Sequence, residues 1–176
     1  MHFKKMKTLI ITNLFPNSCE PNRAVFNKQQ FMNLNIYSDL RILAPLPHFK
    51  FSTRQVPLQE TIEGIDVYHP RYWVIPKILR ATHGISYYYG IQNLVKKIKQ
   101  EWPFDLIFAT WAYPDAYAAS IIAEKLNKPL IIKVHGSDIN FLNLYPFRRA
   151  MVQKAFKRAK KIITVSHPLK TKLIEL

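Results

Sequence analysis

Two short segments carry the residues best suited to chemistry: Ala112-Tyr113-Pro114-Asp115 and His135-Gly136-Ser137-Asp138. The second sets an imidazole and a carboxylate within one turn, around a glycine that permits a tight bend and close ligand approach. Such groups hydrogen-bond polar ligands, and fixed dipoles beside a reacting atom stabilise charge as it develops. A third segment, Asn22-Arg23-Ala24, opens a helical stretch, where free amides and a planar guanidinium suit phosphate. A solvent-facing loop arginine fits the same residues equally well. Elsewhere the reactive patterns are missing. His2, His48, His69, His83 and His167 lack metal-ligand spacing, and Ser166-His167 is adjacency rather than a triad. The chain has only 4 glycines and no Gly-x-Gly-x-x-Gly. No metal, nucleophile or cofactor is assigned.

Both leading segments follow apolar runs, 106–109 and 130–134, that read as buried strands. In a parallel sheet the loops leaving strand carboxyl ends form the ligand crevice, so this placement points at a binding site. The rest of the chain alternates in the same way. Strands are predicted at 7–12, 40–44, 104–109, 130–134 and 161–165, with a short strand or hairpin at 61–69. Helices are predicted at 24–37, 87–100, 115–126, 146–158 and from 168 onward, with Asp115 as a natural N-cap. The pattern predicts an α/β fold: one Rossmann-like domain over 1–176, an open, mostly parallel sheet with helices on both faces. A helical wheel puts Ala24, Val25, Phe31, Met32 and Ile36 on one side of the first helix, and leaves Phe26 off it. In the 146–158 helix Phe147, Met151, Val152, Ala155 and Phe156 share a half, while Arg148 and Arg158 stand out of place among them. The connection 45–59, with Lys50 and Arg54, is of a length more often functional than idle.

Hydrophobic residues make up 48% of the 176, as expected of a folded domain. The 26 Lys and Arg against 11 Asp and Glu give a net charge of +15, a field that favours anionic partners. Cys19 is the single cysteine, so no internal disulfide forms and a reducing cytoplasm fits. The apolar stretch near Met1 is too short for a signal peptide, and Pro114 with Asp115 interrupts the other apolar run, so no transmembrane segment is read. Two basic surfaces are candidates for an anionic membrane: Arg71, Trp73, Lys77 and Arg80, then Lys157, Lys160 and Lys161. Ordinary solvated faces fit these residues as well. Nucleic acid is disfavoured, since no recognised motif is present.

Phe15-Pro16, Pro21-Asn22-Arg23-Ala24-Val25-Phe26, Gln29-Gln30, the two leading segments with Ile139-Asn140, and Val165-Ser166 occur in an order that resembles one family. It is the family 4 type of GT-B glycosyltransferase, in its amino-terminal domain. The resemblance implies retaining transfer of a sugar from a nucleotide-diphosphate sugar to a polysaccharide or lipid-linked acceptor. It places the acceptor mainly on this half and the donor nucleotide on a second Rossmann-like domain. That domain is absent from the 176 residues, as is its paired-glutamate signature, so the chain alone is expected to be truncated and inactive. The resemblance gives His135 the catalytic position beside the transferred sugar. It gives substrate contacts to Asn22, Arg23, Ala24, Tyr113, Asp115, Gly136, Ser137 and Asp138. Asp138 either orients His135 or holds sugar hydroxyls, or else caps its own turn. Ala24 and Ala116 stand where the family has glycine, and a methyl is unwelcome if either site needs positive φ. Cell-envelope or exopolysaccharide assembly in the cytoplasm, peripheral at the inner membrane face, is the expected setting. The alternatives are a non-enzymatic basic module for nucleic acid or membrane, and a degenerate truncated gene product.

Overall fold

A computed structural model describes residues 5–48, 55–74 and 82–176. Its centre is a seven-stranded sheet in the order β4-β5-β2-β1-β7-β8-β9. The strands are β1 (Met6–Ile11), β2 (Ser38–Leu43), β4 (Gln59–Ile62), β5 (Ile65–Tyr68), β7 (Leu106–Thr110), β8 (Leu130–Val134) and β9 (Lys161–Thr164). Every neighbouring pair is parallel except β4 with β5, the hairpin expected around Gly64. A small parallel ladder, β3 (Leu46–Pro47) with β6 (Arg71–Tyr72), extends the paths of β2 and β5. The 45–59 connection therefore contains a strand, while Lys50 and Arg54 lie outside the described residues.

Alternation along the strands divides the core in two. Leu9 and Ile11 of β1 point to a face covered by α2 (His83–Glu101), α3 (Tyr117–Lys125) and α5 (Pro146–Arg158). Ile10 points the other way, into a smaller core with Phe15, Phe108 and Phe31 of α1 (Val25–Tyr37). β7 is buried at every position because both faces are covered, which is why it reads as a continuous apolar run. Helices do lie on both faces, as expected. α6 (His167–Ile174) follows β9 and is capped by Ser166, whose hydroxyl accepts the Leu169 amide.

One helix face differs from expectation. α1 buries Asn27 and Phe31, whereas Val25 and Ile36 are exposed. The amino end of α1 sits on a polar loop rather than on an apolar wall, and the Asn27 amide donates to the Leu14 carbonyl there at 2.8 Å. The apolar wheel could not register that contact. β1 is the switch point of the topology: chain order runs to β2 on one side and to β7 on the other. Ligand crevices form outside the strand ends at such a point.

Candidate functional site

Because β1, β7 and β8 are parallel neighbours, the loops after all three emerge on one rim. The two leading segments meet there. Asp138 is buried, and its carboxylate takes three main-chain amides. Its Oδ1 accepts from His135 at 3.0 Å and Gly136 at 2.8 Å, and its Oδ2 accepts from Ala112 at 2.9 Å. Asp138 thus caps its own turn, as one of its expected readings had it, while also holding the His135 main chain and clasping the neighbouring loop. Gly136 has φ +110°, where a side chain is strained, although an added Cβ would meet nothing within 4 Å. The glycine is needed for the turn rather than for space. A one-turn α4 (Ser137–Asn140) follows, with Ser137 exposed.

His135 is half-buried between two aromatic rings. Phe26 of α1 lies 5.3 Å away between centroids, and Trp111 at the end of β7 lies 5.6 Å away. Burial lowers its pKa first and Lys133 second, against a weaker pull from Asp138, so the imidazole is held neutral. Its Nε2 is buried without a hydrogen-bond partner. Lys133, two residues earlier on β8, is itself pushed down by burial and donates to Gln30 of α1.

Asp115 is not an N-cap. α3 starts at Tyr117 with no side-chain cap, and Asp115 is fully buried in the turn before it. There its Oδ1 accepts the Asn13 amide and the Tyr87 hydroxyl, the latter at 2.6 Å. It thus joins the β1 loop, the β7 loop and α2. Burial lifts its pKa to about 8, outweighing the hydrogen bonds that favour the anion. Oδ2 has no partner, which fits an acid whose proton resides on that oxygen. Asp115 lies buried beneath the rim, tied to the Asn13 loop and to α2.

The first loop is also self-organised. Arg23 donates to Glu20 at 2.7 Å and to the Asn13 carbonyl at 3.0 Å, so its guanidinium is committed to the loop. Asn22 is exposed. Ala24 has φ 47° and ψ 48°, the left-handed region, while Ala116 has φ −64° and ψ −34° and carries no strain. Only the first of the two glycine replacements is therefore costly. Tyr113 accepts the Gly84 amide at 2.7 Å, and a Cβ on Gly84 would sit 2.7 Å from the Tyr113 ring. Among the described residues, the buried side-chain polar atoms without hydrogen-bond partners belong to Asn13, Asn17, Arg23, Asn27, Asp115 and His135. All six residues lie on these rim loops or against them. Buried polar groups are normally paired, so their concentration sets these loops apart from the rest of the described fold.

A cavity of about 220 Å³ opens beside the clasp, walled by Trp111, Tyr113, Ser137, Phe141, Tyr145 and Arg148. A larger one of about 620 Å³ lies away from the rim, between β2, β5 and α2. Its charges largely neutralise one another, Arg41 with Asp66 at 3.7 Å and Lys97 with Glu101 at 3.8 Å, and it brings none of the rim groups together. Chemistry rather than size selects the rim.

The chain has counterparts among known proteins. The model for "Glycosyltransferase Family 4" matches residues 41–176. The chain belongs to that family. It is 31% identical to TuaC of Bacillus subtilis (strain 168), a protein whose name assigns it glycosyl transfer in teichuronic acid biosynthesis; the alignment covers 93% of this chain and 45% of TuaC. It is 32% identical to the uncharacterized glycosyltransferase MJ1178 of Methanocaldococcus jannaschii, over 55% of this chain and 28% of that protein. The chain thus spans less than half the length of the curated relatives it matches. Among solved structures, a Listeria monocytogenes protein described as a UDP-N-acetylglucosamine 2-epimerase superposes with a TM-score of 0.61 at 10% identity, over 98% of this chain and 43% of that one. At that identity the likeness is one of fold.

Residues that sequence reasoning missed are Trp111, Phe26 and Arg148. Trp111 has φ 90°, an unusual conformation for a bulky residue and a frequent companion of functional sites. Phe26 and Arg148 had each carried a signal, being at odds with their helical wheels, as was Arg158, which bonds the Ala123 carbonyl instead. The membrane candidates divide. Arg71 turns inward, donating to the His69 and Val56 carbonyls at 2.6 and 2.5 Å, so its guanidinium is not free for lipid. Trp73 is exposed and stacks on His48, with centroids 4.6 Å apart. Lys157, Lys160 and Lys161 are exposed on and just after α5. Lys77 and Arg80 lie outside the described residues. Among the described residues no helix is long and apolar enough to cross a membrane.

Proposed function

We propose that this rim is the acceptor-side half of a retaining glycosyltransferase site, moving a sugar from a nucleotide-diphosphate donor to a glycan or lipid-linked acceptor. The observation that carries the reading is the clasp by Asp138. It fixes the His135 main chain at the rim and sets a half-buried, neutral imidazole beside Trp111. Departure of the nucleotide builds positive charge at the anomeric carbon, and a neutral imidazole adds no opposing charge there. Fixed dipoles and the His135 main chain then stabilise that charge at no reorganisation cost. The Asn22–Ala24 loop faces the same crevice and offers the amides at the start of α1 to a phosphate. A donor-binding half, in the same polypeptide or a second chain, completes the site, and the 176 residues alone bind acceptor without turnover. The relative named for teichuronic acid biosynthesis supports an acceptor in polysaccharide assembly.

The test is sugar transfer with the donor-binding half supplied. His135→Ala is expected to lower turnover about a hundredfold or more, the usual effect of removing one preorganised group. Acceptor binding should change little. Unchanged turnover in a folded His135→Ala protein overturns the reading.

A second reading, peripheral association with an anionic membrane, is favoured by one observation. Leu144 and Phe147 are exposed around the start of α5, and Lys157, Lys160 and Lys161 are exposed at and just beyond its end. Co-sedimentation with vesicles should rise with anionic lipid content, by up to about 1 kcal/mol per engaged lysine. Indifference to lipid charge removes this reading.

A further inference from the structure

We infer that the cavity beside the clasp is an anion-reading subsite, taking a sugar residue of the acceptor that bears a carboxylate or phosphate. The inference rests on the acceptor-side reading above and deepens it. Its anchor is Arg148. The guanidinium lies 5.5 Å from the ring centroid of Tyr113 and 4.5 Å from that of Tyr145, so two aromatic rings hold it in place. Among the described residues it has no carboxylate within ion-pair distance. The sequence makes one hard to supply, since Asp138 is the only acidic residue between Lys125 and Ile174. Asp138 shares the cavity wall, but its carboxylate is taken up by three amides.

Apart from these two rings, the described residues give the Arg148 guanidinium no hydrogen-bond or ion-pair partner. α5 packs through Val152 and Ala155, and the other misplaced arginine, Arg158, has a structural outlet in the Ala123 carbonyl at 3.1 Å. Arg148 instead lines the cavity with its cationic fork already oriented. Such a fork binds the paired oxygens of a carboxylate or phosphate in parallel, with a specificity that lysine lacks. α5 adds to the field, because its amino end has no side-chain cap and no acidic residue in the first turn. Trp111, Tyr113 and Phe141 supply flat apolar surface for the body of a sugar ring, and Ser137 a hydroxyl for its edge. At about 220 Å³ the space is below the usual range for a whole drug-sized ligand, roughly 300–1,000 Å³, and suits one ring.

The test is direct binding to the 176-residue chain, followed by amide and indole NMR shifts at constant ionic strength. The probes are methyl glucuronide, glucose 6-phosphate and methyl glucoside. The wild-type chain is expected to bind at least one anionic sugar about tenfold more tightly than the neutral one, with shifts at Trp111. A preference for the glucuronide identifies a carboxylate as the ligand group, and a preference for the phosphate identifies a phosphate. Arg148→Gln should abolish the preference while leaving weak neutral-sugar binding. Arg148→Lys, which keeps the charge and loses the fork, should retain only part of it, and serves if the glutamine variant does not fold. Equal affinity for all three probes, no binding of any, or a preference that survives Arg148→Gln overturns the inference. Because no donor is present, that failure is separate from loss of turnover in His135→Ala, which tests the transfer reading itself.

Discussion

Replacing Asp138 tests the clasp on which the site depends. Asp138→Ala strips the acceptor from three amides at once: His135, Gly136 and Ala112. A buried donor left unpaired costs about 1–3 kcal/mol. The Ala112 amide pairs in a buried setting and should incur the larger part of that cost. The other two pair in partly buried settings, where water can replace the carboxylate in part. The three losses are not independent, because one loop shift relieves all of them, so the expected total is about 3–5 kcal/mol. Asp138→Asn is the sharper probe. Its carbonyl can still serve the His135 and Gly136 amides, but its NH2 then faces the Ala112 N–H, donor against donor. About 1–3 kcal/mol should be lost, with the 135–138 turn intact and the link to the 111–112 segment broken. Urea unfolding measures both variants, and near-ultraviolet signals of Trp111 report the inter-loop link separately. Alanine and asparagine variants within about 0.5 kcal/mol of the parent would falsify the idea that this carboxylate joins the two loops.

The remaining predictions are local. Ala24→Gly relieves a left-handed alanine and should stabilise the chain by about 1 kcal/mol, raising Tm by about 2–4 °C in a thermal melt, whereas Ala116→Gly should not. Gly90→Ala should be destabilising, since its Cβ would sit 2.8 Å from the Arg71 carbonyl, a backbone atom that cannot swing aside. Asp115 sets a pH dependence of known sign. Its folded pKa of about 8 lies above the ordinary carboxylate value, so the folded state binds the extra proton and stability falls as pH rises from about 4 to about 8. Denaturation across that window should show a downward slope of up to about 1.4 kcal/mol per unit, which Asp115→Asn flattens. Finally, Lys133→Met should raise the pKa of His135, followed by NMR titration of its ring, because one of the two influences holding it down is removed.

The alternation of strands and helices was legible because β7 is buried throughout, β8 is an apolar run buried at alternate positions, and turn residues separate them. The hairpin at Gly64 and α5 were readable for the same local reasons. What the sequence could not display were contacts distant along the chain. Asp115 before a helix has the local signature of a cap, yet its partners are Tyr87 and Asn13. α1 looked like an apolar face interrupted by polar residues, but one of those, Asn27, is the buried one, since its partner is a loop carbonyl. The most useful signals were apparent errors. Phe26 and Arg148 disobey their helical wheels because they answer to the rim rather than to the core, and such local inconsistencies are expected at functional positions.

The chain at Trp111 is held through its main-chain amides: its own amide donates to the Lys133 carbonyl, and the next is gripped by the Asp138 carboxylate. Its side chain contributes neither bond. Position 111 is therefore a tile on a fixed mount, where exchange among unbranched side chains can resurface the crevice while the mount, with its positive φ, stays in place. Divergence in what such a protein recognises could begin there, with little penalty to folding.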